Sequence, residues 1–432
     1  MSNLSKRYYL ITLGCAKNEV DSEAIEVSLI SAGMTRTGDV GSADLILVNS
    51  CGFINDAKIE SIDTALNLNK DRKKGSFLVM CGCLPARYNM KQIFGEVDLF
   101  LPSKVHDRLV PHLSKIGWVR KPDDSAIKRI MPKYPYGYLK ISEGCDNRCS
   151  YCAIPNIKGP FYSRSINEIV SEAEYLCKNS VKELVLIGQD TTIFGTDRGP
   201  NSELPQLIDR LVSIDGLEWL RIMYAHPAHL TSDIIAAIAS TDKVVNYIDL
   251  PLQHINDRIL KEMNRKINKV GIKNLISRLR AKIPNIVLRT TFIVGFPGET
   301  ERDFEELLDF CEDVQFDNLG LFKYSPEDGT PAIKLKDRVD EIIIEERYLT
   351  LLDLQNKISK AKLDKRVGET EWVLIQEIEG DGIMTGRVWY QAPEVDGITY
   401  VDNCGAEPGD MLEVRIKRAE TYDLFSEPLK KE

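Results

Sequence analysis

Strand-length apolar runs alternate with helical stretches twice along this chain, and that alternation restricts the folds open to it. YYLITLG (8–14), DLILVNS (44–50) and SFLVMCG (76–82) are short and β-rich, and helical patterns at 19–31 and 55–69 follow the first two. Strands separated by helices pair in parallel, with the helices covering the sheet faces. A second series begins at 136. Its strands read YGYLKI (136–141), ELVLIG (183–188), WLRIMY (219–224), VVNYIDL (244–250), VLRTTFIVG (287–295) and LGLFKYS (319–325), with helical segments such as 166–177 and 301–314 between them. Six such units predict a six-stranded partial barrel related to the TIM architecture, wound by right-handed crossovers. The polar, proline-bearing stretch 119–135 between the two series reads as a linker.

A long helix is predicted over 337–364. Ile344, Tyr348, Leu351, Leu354 and Ile358 recur at three- and four-residue steps and predict an apolar face packed on the barrel, with Gly368 ending the helix. Beyond it, EWVLIQEI, GIMTGRVW, DGITYVD, MLEVRIKRA and YDLFSEP are short strands divided by glycine-bearing turns, a pattern for a small antiparallel barrel like an OB-fold. At 432 residues the chain exceeds one ordinary core. The reading is an α/β protein of three units: a parallel α/β domain over 1–120, a partial barrel over 131–365 and a small β-barrel over 366–432. No apolar run approaches a membrane span, and the N-terminus MSNLSKRYYLITLGC reads as a strand rather than a signal peptide. The expectation is a cytoplasmic protein with no membrane partner.

That compartment keeps thiols reduced, so ten cysteines need an explanation other than disulfides. Three of them, Cys145, Cys149 and Cys152, form a C-x3-C-x2-C cluster in SEGCDNRCSYC, directly after the first strand of the second series. Loops leaving barrel strands lie on the C-terminal face, where such barrels keep their active sites. Thiolates select iron–sulfur clusters, zinc or copper. Three with no fourth nearby argue against a closed four-coordinate zinc site, although a zinc turn is the bland alternative. On a four-iron cluster three thiolates leave one iron open, as a catalytic centre requires. Cys15, Cys51 and Cys83 each lie just past the end of an N-terminal strand, where ligands of a parallel sheet collect. They are expected to converge as a second metal site, buried core cysteine being the alternative. Cys81 belongs to its strand, so Cys83 is preferred. Cys177, Cys311 and Cys404 read as structural.

With Tyr151 before its third cysteine, the cluster resembles that of the radical S-adenosylmethionine superfamily. The resemblance implies a 4Fe-4S cluster on Cys145, Cys149 and Cys152 whose open iron chelates S-adenosylmethionine for reductive cleavage to a 5′-deoxyadenosyl radical. Tyr151 falls among the expected cofactor contacts. So do Gln189 and Asp190 of IGQD, with a helix cap as the alternative for Asp190. FIVGFPGE, which contains Gly295, resembles the superfamily's adenine-side strand, with an ordinary Gly/Pro turn as the alternative. His226, His229 and His254 lie near strand ends and are either cavity residues or structural histidines.

The whole chain is similar to the methylthiotransferases. These combine an N-terminal domain holding a second 4Fe-4S cluster on three cysteines, a radical domain and a C-terminal TRAM barrel. LGCAKNEVDSE (13–23), VNSCGFINDA (48–57), LKISEGCDNRCSYCAIP (139–155), IDLPLQHINDRIL (248–260), LRTTFIVGFPGET (288–300), FKYSPEDGT (322–330) and QAPEVDG (391–397) resemble the RimO-like branch. That branch modifies an aspartate of the small-subunit ribosomal protein numbered twelve. The competing MiaB-like branch modifies tRNA adenosine. Asp146 departs from the asparagine often found there, between ligands. The resemblance implies two 4Fe-4S clusters, two molecules of S-adenosylmethionine per turnover, a cellular electron donor, no direct DNA partner, and 3-methylthioaspartate as product.

Charge bears on the choice of branch. From Arg366 onward there are 7 Lys and Arg against 15 Asp and Glu, which accounts for most of the chain's net charge of −9. Such a surface repels phosphate backbones, whereas a tRNA-reading barrel should be basic. It attracts a basic ribosomal protein. Glu394 and Asp396, in a glycine-bounded turn, are expected to be exposed. A non-enzymatic iron–sulfur protein and a structural zinc protein are the remaining alternatives.

Overall fold

The structure, a computed structural model, describes residues 6–92, 94–102, 105–119, 129–380, 382–402 and 404–429, the side chains of 92 and 105–107 excepted. The N-terminal unit is a five-stranded parallel sheet in the order Thr35–Arg36, Arg7–Thr12, Leu45–Ser50, Phe77–Gly82, Leu99–Leu101. The two outermost strands are too short to announce themselves by periodicity. Strand alternation sends Leu45 and Leu47 to one face, against Ile25, Leu29, Leu109 and Leu113, and Ile46 and Val48 to the other, against Ala65, Leu68 and Leu84. Burial on both faces explains why these strands read as continuous apolar runs.

Of the expected linker, residues 120–128 lie outside the described residues. Arg129, just beyond, is buried; it donates to Glu23 (2.6 Å) and to Glu172 (2.5 Å), tying the N-terminal unit to the next. That unit has six parallel strands in sequential order, Tyr136–Lys140, Glu183–Ile187, Trp219–Ile222, Val244–Gln253, Val287–Val294 and Asn318–Lys323. The main core lies between these strands and the outer helices.

The long helix spans Glu341–Asp364 rather than starting at 337, because Asp340 caps it by accepting from the Ile342 amide (2.8 Å). Leu351 and Ile358 are buried, and Ile344, Tyr348 and Leu354 pack beside Leu351 on the barrel core. Gly368 does not end this helix. Its amide already pairs with the Ile416 carbonyl (2.8 Å) of the next unit.

The C-terminal unit is a closed barrel of Thr370–Ile378, Met384–Val388, Thr399–Val401, Leu424–Pro428 and Met411–Ala419. All neighbouring pairs are antiparallel except Thr399–Val401 with Leu424–Pro428, which run parallel. It packs on the inward-facing residues of the partial barrel, where Tyr136, Tyr138, Val185, Trp219 and Tyr247 share a core with Val373, Tyr390 and Ala392. Across that seam the fully buried Glu183 accepts from Arg221 (2.7 Å) and Arg387 (2.5 Å). Burial alone would raise the Glu183 carboxyl, but the two guanidinium groups outweigh it and hold the carboxyl below its ordinary range.

The same seam corrects the expectation for Asp396. Its side chain is 1% exposed and accepts from the Tyr247 hydroxyl (2.7 Å) and the Ala392 amide (2.8 Å). Glu394 is exposed, yet its carboxylate accepts from the Tyr136 hydroxyl (3.0 Å). Part of the acidic tail therefore joins domains rather than facing solvent.

Candidate active site

The cysteine loop 145–152 is held from several sides. Cys145 donates its amide to Gly159 (3.2 Å), Ser150 donates to Met263 (3.0 Å), and Ala332 donates to Ser150 (2.8 Å). Asn264 reaches the Arg148 carbonyl (2.7 Å), and Asn147 donates to Asp190 (2.8 Å). The three thiols thus project from one local turn fixed by neighbouring loops and helix ends.

The other triad is assembled from distant segments. Cys15 precedes the helix Ala16–Ser31, Cys51 follows the strand Leu45–Ser50, and Cys83 opens the helix Cys83–Arg87. Two glycines report how closely these loops approach. A Cβ on Gly14, whose φ is +101°, would lie 2.9 Å from the Cys51 Cβ; one on Gly52 would lie 2.8 Å from the Leu84 Cα. Asn18 stitches the strand ends by donating to Leu13 (2.7 Å) and Ser50 (3.3 Å). Cys81 points the other way, into the sheet core, with its thiol toward the Val48 carbonyl.

Packing between units turns the two triads toward each other. Cys83 and Ala86 contact Ala153 and Ile157, just past Cys152. Asp21 of the first unit binds Lys140 and Lys158 of the second. Glu327, almost fully buried, accepts from Lys58 (2.9 Å) and Arg87 (2.8 Å). The outcome is one cavity of about 830 Å³ whose wall includes Cys15, Cys51, Cys83, Cys145, Cys149 and Cys152.

A tetrahedral zinc with bonds of about 2.3 Å keeps its sulfurs about 3.8 Å apart. Among the described residues, the one group of three metal-binding donors within 4.8 Å of one another is Asp190, His226 and His229; neither cysteine triad is so compact. That Asp/His group is internally satisfied. Asp190 accepts from Asn147, the Thr192 amide (3.1 Å) and the Thr192 hydroxyl (2.5 Å), and pairs with His229 (2.8 Å). The His226 and His229 rings stack at 4.6 Å.

Burial pushes the thiols of Cys83 and Cys152 up to about 12 and that of Cys145 to about 11. A bound cation is what holds such sulfurs as thiolates. Burial first, and then the Arg265 charge, lowers His226 to about 3, so it faces the cavity as a neutral imidazole.

The expected cofactor contacts divide. Tyr151 and Gln189 lie on the cavity wall. Asp190 lies behind it as the cap and tether just described. Gly295 also lies off the wall: its amide donates to Glu299 (3.0 Å), and a Cβ there would meet Ile344 of the long helix at 2.4 Å. His254 is fully buried, with its Nδ1 accepting from the Asn256 amide (3.0 Å). Sequence reasoning missed Lys17, Lys158, Tyr224, Gln253 and Arg265, all on the wall. Tyr224 and Gln253 carry φ values of +59° and +75°, a backbone region costly for residues other than glycine. Their place at strand ends was the available signal. Arg265 is buried, with a guanidinium nitrogen 3.4 Å from the Cys149 sulfur and another donating to the Pro251 carbonyl (2.5 Å).

Three family models match parts of the chain. Residues 139–311 match the Radical SAM superfamily, 7–102 the uncharacterised protein family UPF0004, and 367–429 the TRAM domain. The chain is 43% identical over 422 residues to the ribosomal protein uS12 methylthiotransferase RimO of Thermotoga maritima, covering 96% of this chain and 97% of that protein. It is 42% identical over 435 residues to the protein of the same name from Clostridioides difficile, covering 97% and 98%. Among solved structures, the radical S-adenosylmethionine methyltransferase TsrM of Kitasatospora setae superposes with a TM-score of 0.57 at 14% identity, covering 76% of this chain and 77% of that one. The cobalamin-dependent radical enzyme OxsB superposes at 0.52 with 14% identity, over 82% of this chain and 56% of its own. At such identities these two likenesses concern fold alone.

Proposed function

The chain belongs to the ribosomal protein uS12 methylthiotransferases, and from that premise we propose that it places a methylthio group on the β-carbon of an aspartate of uS12 within the six-cysteine cavity. It is a radical S-adenosylmethionine enzyme that uses iron–sulfur chemistry. Cys145, Cys149 and Cys152 would hold one 4Fe-4S cluster, and Cys15, Cys51 and Cys83 a second. When bound, the first cluster with S-adenosylmethionine supplies a radical that removes a hydrogen from carbon, and the second supplies the place where the sulfur group is held.

The single observation that carries this reading is the common cavity: all six thiols open on one space of about 830 Å³. Two half-reactions sharing an unstable carbon radical must meet before it is quenched, and juxtaposition replaces diffusion. The protein's own residues do the holding. Tyr151 and Gln189 line the cavity, and neutral His226 offers a hydrogen-bonding group that adds no charge. Arg265 places a fixed positive charge against the Cys149 sulfur. The functional units follow the boundaries 1–120, 131–365 and 366–432. Reducing power comes from a cellular electron donor in the cytoplasm. No helix among the described residues is long and apolar enough to cross a membrane.

Mass spectrometry of uS12 and of tRNA from cells with and without this chain tests the reading. The expected result is loss of methylthioaspartate from uS12 with tRNA unchanged. Loss of methylthio adenosine from tRNA with uS12 intact would reassign the substrate.

A further inference from the structure

Lys17 stands in the first turn of the helix Ala16–Ser31, two residues past Cys15. It lines the cavity and is only 7% exposed. A buried ammonium ordinarily faces a carboxylate, because taking its charge out of water is costly. The other cations of this wall are engaged. Lys158 pairs with Asp21 (3.0 Å) and Glu143 (3.5 Å), and Arg265 donates to the Cys149 sulfur and the Pro251 carbonyl. Among the described residues Lys17 has no carboxylate partner, and the contact it makes is with the face of Tyr224, 3.2 Å from the ring centroid. That contact steadies an ammonium while leaving its N–H donors unneutralised.

The outer wall has the opposite character. Asp56 and Glu60 line the same cavity and are exposed, as are the rings of Phe53 and Phe322 that also line it. An acidic, aromatic rim around a buried cation admits a basic polypeptide that presents a single carboxylate. A uniformly acidic ligand would be repelled at the rim, and a uniformly basic one at depth.

We propose that Lys17 is the receptor for the side-chain carboxylate of the residue being modified, and so selects aspartate over asparagine within a basic segment. The assignment rests on the uS12 reading above. An ammonium–carboxylate bond at this point would fix the adjacent β-carbon between the two triads. The amide of asparagine would leave the charge unpaired, which is how a polar site rejects a near-isostere.

The test is a double-mutant cycle on binding, with holoenzyme under anaerobic conditions and no reductant. Wild type, Lys17→Met, Lys17→Gln and Lys17→Arg are titrated with uS12 and with uS12 in which the modified aspartate is replaced by asparagine. Iron content and electron paramagnetic resonance spectra are read on the same samples. Wild type should prefer the aspartate form by about 10-fold or more, as expected for a hydrogen bond between charged groups. The Met and Gln variants should bind both forms equally, at the asparagine affinity of wild type, with both clusters intact. Arg should restore part of the preference. Carrying Gln beside Met keeps the test alive where one of them loads its clusters poorly. Undiminished preference in iron-replete Lys17→Gln or Lys17→Met would overturn the assignment. So would loss of iron in every uncharged variant with preference retained, since the ammonium would then serve the cluster. A wild type that neither binds nor modifies uS12 would instead bring down the functional reading itself.

Discussion

The two cysteine triads solve one chemical problem by opposite routes. Cys145, Cys149 and Cys152 come from a single turn whose spacing alone brings them together, and neighbouring loops and helix ends clamp that turn at Asn147, Arg148 and Ser150. Cys15, Cys51 and Cys83 come from three loops that meet because parallel strands end on one edge, with the glycines at 14 and 52 permitting contact. The difference is one of contact order. A local site survives distant damage, while a non-local site depends on the sheet and on the contacts that press its edge against the second unit.

The largest effect tests the local triad. Replacing Cys145, Cys149 or Cys152 with Ala should reduce 5′-deoxyadenosine formation to background and remove about half the iron, if each triad holds four irons. Iron analysis and chromatography of the S-adenosylmethionine cleavage products measure both; full cleavage in any variant would break the comparison at its base.

Replacing Cys15, Cys51 or Cys83 should sharpen it. Methylthiolation of uS12 should cease while 5′-deoxyadenosine still forms and about half the iron stays. Cys81→Ala is the control. It empties space in an apolar core, so it should cost about 1–2 kcal/mol of stability and leave product formation in place. If Cys81 proved essential and Cys83 dispensable, the placement of the third sheet edge would be in error.

A smaller effect is expected at the contact between the units. Glu327→Ala leaves Lys58 and Arg87 facing each other without their shared acid. Breaking such a buried group costs about 3 kcal/mol, felt where the Cys83 helix meets the barrel. The ratio of methylthiolated product to 5′-deoxyadenosine should fall while 5′-deoxyadenosine formation itself persists. An unchanged ratio would show that the non-local triad holds its position without this contact.

The smallest effect concerns pH. Burial raises Glu19 to about 7, with Glu394 and Glu23 adding like charge. A carboxyl that binds its proton more tightly when folded makes stability decline as pH rises from the ordinary glutamate value to about 7, after which the slope ends. Glu19→Gln should flatten part of that decline in thermal melts between pH 5 and pH 8. An identical slope in the variant would show that burial at this seam does not raise the Glu19 carboxyl.

The acidic tail shows where reading charge from a sequence misleads. Its excess of acids is real, but Asp396 is buried with its Oδ2 accepting from Tyr247 and Ala392, and Arg387 of the same tail turns inward to Glu183. A charge count does not distinguish a solvated side chain from one at an interface, because both kinds are polar letters in a turn. The contact residues met the same limit. Gln189 falls on the wall as its strand end suggested, whereas Gly295 belongs to the turn that locks the long helix through Glu299 and Arg347.

By itself the sequence determined the βα alternation, the six barrel strands, the small C-terminal barrel and the local cysteine turn. All of these depend on periodicity and spacing within about a dozen residues, the range over which local patterns carry information. It also pointed to Cys15, Cys51 and Cys83, because strand ends of a parallel sheet share an edge. Only the tertiary structure decided that the two edges face each other across one cavity, and that Lys17, Tyr224 and Arg265 stand in its wall. The closure of Asp396 and Glu183 at the domain seam was settled there too. Each of these is a contact between segments far apart in the chain. Such contacts are set by how whole units pack, and no local pattern of side chains encodes the geometry of that packing.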